Sequence, residues 1–209
     1  MAEEGGSDGS AADGPAAEGS GTDAPSVAAR DDLAGVVDLF GWLTRAELSH
    51  ALSELAFKRR TEVDDDAIAA AIDVAVAEYA LVPAPPAALD GFGDSAGTTA
   101  GAVPEEVADP DGGLDADAVA LAVGPAAFPS LPDGAADLPH ILDVPERDVD
   151  RERLSDAVLE RLSEDAAAAI SEGDDDRLAV LADVTYDVEA WAPVDAEDIR
   201  ERIVVELDA

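Results

Sequence analysis

Four times along the chain a capping residue stands inside a pair of apolar residues placed five positions apart. Thr44 follows Leu43 and precedes Leu48; Asp64 sits between Val63 and Ile68, Asp150 between Val149 and Leu154, and Asp195 between Val194 and Ile199. An apolar residue just before a cap, packing on another in the first helical turn, is a hydrophobic staple, and it fixes where a helix starts. A chain with four such starts is committed to a mainly α fold of small helical domains. The residues between the starts agree.

Over 31–82, Leu33, Val36, Val37 and Phe40 recur at helical spacing and Gly41 closes the segment. The helix opening at Thr44 carries a capping box, with Glu47 three residues on, and an inner face of Leu48, Ala51, Leu52, Leu55 and Ala56. A third helix from Asp64 lines up Ile68, Ala71, Ile72, Ala75 and Tyr79. Ala80–Val82 then reads as extended before Pro83, and Ala118–Val123 as a strand closed by Gly124-Pro125. If 80–82 and 118–123 pair, three helices and a β-hairpin give a winged-helix-like N-terminal part. The intervening loop is longer than hairpin loops generally run.

The remaining segments divide by composition. Residues 1–30 are Gly, Ser, Ala and acids, expected as a disordered acidic tail; 83–117 is expected as a flexible Pro/Gly/Asp-rich loop. Residues 118–209 are expected to form a strand and a helical region packing on the N-terminal part. There, 124–149 is proline-rich yet punctuated by Phe128, Leu131, Leu138 and Ile141, which suits an irregular cover over a core. Helices follow from Asp150 (Leu154, Val158, Leu162 and Ile170 inward, Gly173 at the end), from Asp174 and from Asp195 (Ile199, Ile203, Leu207). The stretch 184–191 alternates over Val184–Val188 and is open between helix and strand.

The charge sets the solvent. Asp and Glu number 49 against 12 Lys and Arg, a net −37 spread over the whole chain. In dilute buffer that charge drives a compact state apart, whereas at about 1 M salt the screening length falls to about 3 Å and most of the repulsion is gone. Asp supplies 31 of the acids, Lys occurs once, and 45 of the apolar residues are Ala. This is the profile of a salt-in, halophilic archaeal cytosol, with diffuse K+/Na+ association expected at the surface. Clustered carboxylates are therefore weak evidence for a site. The absence of cysteine removes disulfides, thiolate nucleophiles and zinc knuckles. No apolar run is long enough to span a bilayer and no secretory h-region opens the chain, so a cytoplasmic location and no membrane partner are expected.

Catalytic motifs do not hold up. Gly93-Asp94-Ser95-Ala96-Gly97 matches the nucleophile elbow, but that elbow needs a strand before the serine and a helix after it. Read from Gly91, the same string echoes a dinucleotide fingerprint and lacks the same flanks. Glu47-Leu48-Ser49-His50 is half of a di-iron signature without a second copy, because His140 follows a proline. Asp109–Asp117 misplaces the glycine and glutamate of a calcium loop. No catalytic, cofactor-binding or metal-ligating residue is assigned, and no cofactor is expected. Two candidate contacts remain. Trp42 and Trp191 lie beside helix ends, where aromatics anchor partners or lid a core. Lys58-Arg59-Arg60, the one basic run, is the candidate phosphate contact, against a third helix holding Asp64, Asp65, Asp66, Asp73 and Glu78 and no base.

At Asp38-Leu39-Phe40-Gly41-Trp42-Leu43-Thr44-Arg45-Ala46-Glu47-Leu48, at Leu52-Ser53-Glu54-Leu55-Ala56-Phe57, and again at Gly124–Pro129 and Leu138–Val144, the chain resembles an uncharacterised haloarchaeal acidic protein family. The resemblance spans roughly 31–82 and 118–205, and implies lineage and compartment without implying an activity. The function expected is a non-enzymatic, cytosolic protein–protein interaction module with an unknown protein partner. The alternative is a winged-helix-like transcription regulator holding DNA through Lys58–Arg60 and the wing, which the acid excess disfavours.

Overall fold

A glycine and a tyrosine, both in the left-handed region, turn the chain from helix into strand at two corners of the same sheet. Residues 27–61, 63–90 and 116–208 are described by a computed structural model. Helix α1 (Val27–Asp38) buries Leu33, Ala34, Val36 and Val37. It begins inside the 1–30 segment read as tail, and Arg30 pairs with Glu78. Gly41, at φ +80°, then redirects the chain into β1 (Trp42–Thr44). A Cβ there would lie 1.8 Å from the Arg147 carbonyl, so the turn admits only glycine.

Thr44 ends β1 and caps α2 (Arg45–Arg59) at once. Its Oγ1 accepts from the Glu47 N–H at 3.1 Å, and Glu47 Oε2 accepts from the Thr44 N–H at 2.8 Å. Arg60, left-handed at φ 56°, closes α2 by donating its N–H to the carbonyls of Ala56 and Phe57. Asp64 caps α3 (Asp65–Ala77), which buries Ile68, Ile72 and Ala75. Tyr79, at φ +61°, makes the second turn, into β2 (Leu81–Pro83). Strand β3 (Ala120–Val123) lies between the other two, antiparallel to both, in the order β1-β3-β2. Its partners are Leu43↔Leu121 on one side and Val82↔Ala122 on the other. The succession α1-β1-α2-α3-β2-β3 with this sheet order is winged-helix-like, and 81–83 and 120–123 do pair.

Strand periodicity sends alternate side chains to opposite faces. Leu43, Leu81 and Leu121 point into a core made with α1, α2 and α3. Trp42, Val82, Ala120 and Ala122 point into a second core made with three C-terminal helices. Those are α5 (Arg151–Glu172), α6 (Asp175–Trp191) and α7 (Glu197–Leu207), which supply Leu154, Val158, Leu162, Leu181, Val188 and Ile203. The sheet is thus a wall between two cores, buried on both faces. This explains why Ala120–Val123 reads as an unbroken apolar run. The 124–149 segment, with α4 (Leu138–Leu142), covers the first core through Ala135 and Leu138. It returns beside the sheet, where Arg147 donates its N–H to Phe40 O just before β1 and Leu89, beyond β2, bridges to Val149.

Several sequence expectations need correction. β1 was not foreseen, because Trp42-Leu43-Thr44 reads equally well as a helix lead-in. Residues 184–191 are helix: α6 runs unbroken to Trp191, and the apparent alternation arises because Val184, Thr185 and Val188 are all buried on one helical face. α7 is capped at Ala196, with Asp195 accepting from the Glu197 N–H, and its Leu207 is 39% exposed. Within 83–117, Ala84, Ala88 and Leu89 are buried, so Pro83–Asp90 belongs to the packed structure.

Candidate interaction site

Where the second half of α2 meets the first turns of α3 and the start of α1, packing is incomplete. α2 ends and α3 begins across the short 60–64 connection, which leaves a gap that neither helix fills. The result is an open groove of about 280 Å³ between α1, α2 and α3. Its floor is Leu33, Leu52, Leu55 and Ile68, and Val63 and Pro132 form part of its sides. Val63, the staple residue of α3, is 45% exposed and contributes apolar surface to the rim instead of closing the gap. Asp32 and Arg59 are the charged residues lining it. Arg59 is engaged elsewhere: its Nε and Nη2 both donate to the Asp133 carbonyl, at 3.1 and 2.9 Å. Asp32 is half-buried, and among the described residues its carboxylate has no cation or donor against it.

The basic run is mostly engaged within the fold. Lys58 Nζ donates to the Gly134 carbonyl at 3.1 Å and to Asp137 at 2.8 Å, and that ammonium holds the Asp137 carboxyl below its ordinary range. Arg60 is exposed and serves as the backbone cap of α2. The outer face of α3 presents Asp66, Ala70 and Asp73, small and acidic; Asp73 pairs with Arg45 at 2.6 Å.

Trp42 is not a surface anchor. It is fully buried, with its Nε1 donating to the Asp90 carbonyl at 3.3 Å, because β1 turns its ring toward the C-terminal core. Trp191 is half-buried at the end of α6 with the Arg151 guanidinium 4.9 Å from its ring centre. His50 and His140 are both exposed, and His50 lies 3.8 Å from Glu54 on its own helix. Among the described residues no group of three or more His, Asp or Glu is placed to hold a metal. Gly91–Gly97 and Asp109–Asp115 fall outside the described residues.

Arg147 is the residue that sequence reading missed. Its Nη1 and Nη2 donate to the two Glu47 oxygens at 2.8 and 2.7 Å, and its guanidinium lies over Trp42. Burial works to raise the Glu47 pKa, but the Arg147 pair and the Thr44 N–H outweigh it, so the carboxyl stays below its ordinary value. A lone arginine in Pro145-Glu146-Arg147-Asp148 carries no periodic signal that could have marked it. A second hub joins the halves: the Tyr79 hydroxyl donates to Asp165 at 2.8 Å, and Arg161 and Arg177 donate to the Val76 and Ala77 carbonyls that end α3. Both arrangements fasten one half of the chain to the other and leave the groove untouched.

No helix among the described residues is long and apolar enough to cross a membrane. No curated protein and no solved structure matches the chain. The sequence pattern of a family of unknown function does match, over residues 31–208 and so nearly from α1 to the end of α7. The chain belongs to that family, DUF7109.

Proposed function

We infer that this protein is a non-enzymatic, cytosolic interaction module of a salt-adapted, haloarchaeal cell, using a winged-helix-like scaffold to hold a protein partner. One observation carries the reading: an apolar groove stands open between the three N-terminal helices. Apolar surface left open in a small fold is a common mark of a partner site. At about 280 Å³ the groove is at or below the lower end of small-molecule pockets and suits a few side chains of a partner better than a cofactor.

The alternative, a DNA-binding regulator, has the strand and helix order in its favour, and fold order alone is a weak guide to function. Against it stand the electrostatics. A groove-reading helix must neutralise phosphates, and α3 presents carboxylates while Lys58 and Arg59 are turned onto the 133–137 segment. The −37 charge favours diffuse K+ and Na+ around the surface and no membrane contact.

Because the chain lacks cysteine, a photo-crosslinker can be placed uniquely through Val63→Cys, with Val205→Cys on α7, where the valine is 70% exposed, as the control. In native lysate at molar KCl the module reading expects a discrete protein adduct from position 63 and none from 205. An electrophoretic shift of genomic DNA at the same salt, resistant to competitor, would replace this reading with the regulator.

A further inference from the structure

The chain carries 49 acids, so a carboxylate near the groove selects nothing; a cation that folds without a carboxylate partner is the scarcer observation. Among the described residues Arg59, Arg60, Arg151 and Arg202 do so. Arg151 lies over Trp191, and Arg202 donates to the Ser163 hydroxyl. Arg59 and Arg60 adjoin each other at the end of α2, and they stand at the groove. Arg59 lines it, and its bonds to the neutral Asp133 carbonyl hold the side chain while leaving its charge uncancelled.

Arg60 closes α2 in the left-handed region, φ 56°, where a Cβ is crowded and glycine is the ordinary residue. Its side chain is exposed and, among the described residues, has no hydrogen bond or ion pair. An arginine disfavoured by its backbone and held by nothing in the fold has its guanidinium free to meet a partner. Phe57, one turn earlier, is 80% exposed. Phe57, Arg60 and Thr61 line a shallow depression, and Thr61 also lines the groove, so the two run together.

Resting on the module reading above, we propose that this joined surface docks an acidic amphipathic segment of a partner protein. Aliphatic side chains of the segment sit on Leu52, Leu55 and Ile68 and against the Phe57 ring, and a carboxylate sits on Arg59 and Arg60. Screening at molar salt removes longer-range terms, so the carboxylate acts at contact distance, as a charge-assisted hydrogen bond. Asp32, which belongs to α1, then matters only to the part of the segment that touches it. A nucleic acid is the poorer occupant. It repeats its phosphates along the strand and would set some of them against the exposed Asp64, Asp65 and Asp66, which closely follow Thr61.

The test uses the unmodified full chain at molar KCl and three fluorophore-labelled helical peptides, read by anisotropy. The peptides share one leucine face and carry glutamate, glutamine or lysine on the other. The glutamate peptide is expected to bind saturably and most tightly. Arg60→Gln is expected to weaken it about tenfold, the effect of one hydrogen bond to a charged group, and to leave the glutamine peptide unchanged. Arg60→Lys is expected to restore part of the loss, with circular dichroism reporting one fold for all three chains. Equal binding of the three peptides, indifferent to Arg60→Gln, would overturn the acidic partner and leave the groove as a docking site. Tighter binding of a labelled DNA duplex, lost in Arg60→Gln, would replace the carboxylate with phosphate. Self-association in sedimentation, lost in the same variant, would assign the surface to a second copy of the chain instead. Silence from every peptide would sink the acidic partner and the groove together.

Discussion

The Arg147 guanidinium lies over the Trp42 ring, 4.1 Å from its centre, and from that position grips both oxygens of Glu47. Arg147 precedes the C-terminal helices, Trp42 belongs to the sheet, and Glu47 to the first turn of α2. One side chain thus ties cap, strand and cover together, with only 5% of its own surface in water. Removing it leaves the half-buried Glu47 carboxylate without its cation and opens space over the indole. Arg147→Ala is expected to cost about 2 kcal/mol, the loss of hydrogen bonds to a charged group in a part-buried pair. Urea unfolding at fixed molar KCl measures it.

The same pair sets an acid limit. Glu47 is held below its ordinary 4.5, so its contribution is complete above that value and fades as pH drops through the lower, folded one. Glu47→Gln keeps the capping geometry and is expected to flatten this part of the acid limb. Unfolding midpoints taken across the acid range report the slope.

Tyr79 sets the opposite limit. Burial, and then the bond to Asp165, hold its hydroxyl protonated above the ordinary 10.0. The stability this confers is present below pH 10 and lost as pH rises toward the folded value. Tyr79→Phe is expected to cost about 1 kcal/mol at neutral pH and to remove the alkaline slope, both readable from melts at fixed salt.

Gly35 reverses a familiar rule. Inside a helix, alanine in place of glycine ordinarily gains up to about 1 kcal/mol. On α1, however, a Cβ at position 35 would lie 2.0 Å from the Ser130 carbonyl, a backbone atom that cannot swing aside. Gly35→Ala is expected to destabilise by about 2 kcal/mol, in the range of overpacked cores, and to loosen the 127–132 cover. Faster hydrogen exchange at the Ser130 amide, which donates to Asp31 O, is the local signature.

Much of the scaffold was legible from residues alone, for identifiable reasons. Caps and staples act within a few positions, so Thr44, Asp64, Asp150 and Asp174 were found as the caps they are. β1 escaped because a three-residue strand carries too little periodicity and its register depends on β3, far along the chain. Val184–Val188 stayed open between helix and strand because Val184, Tyr186 and Val188 alternate in sequence, whereas the shared face of Leu181, Val184, Thr185 and Val188 shows in the packed helix. The groove was invisible for a different reason. Its residues are mostly ordinary core types, and the gap lies between the start of α1, the second half of α2 and the first half of α3, a juxtaposition with no counterpart in local sequence. Asp32 likewise reads as one acid among 49 until its neighbours are known.

Salt should govern the whole assembly. Lowering KCl from molar to about 0.1 M lengthens screening to about 10 Å, and self-repulsion of a −37 chain returns. Far-UV helicity is expected to fall over that change and to recover when KCl is restored. A cooperative melt retained at low salt would contradict the brine-adapted reading.

The central strand, β3, arrives only after the 91–115 stretch, yet it is wedged between two neighbours that precede it. A polypeptide severed within that stretch would yield an N-terminal piece missing the middle of its own ribbon and a C-terminal piece bearing a lone strand with two bare edges. Each would be insoluble or unfolded by itself, and mixed together they would be strongly driven to reassemble. The two halves of this molecule are, in that sense, obligate companions that happen to share one backbone.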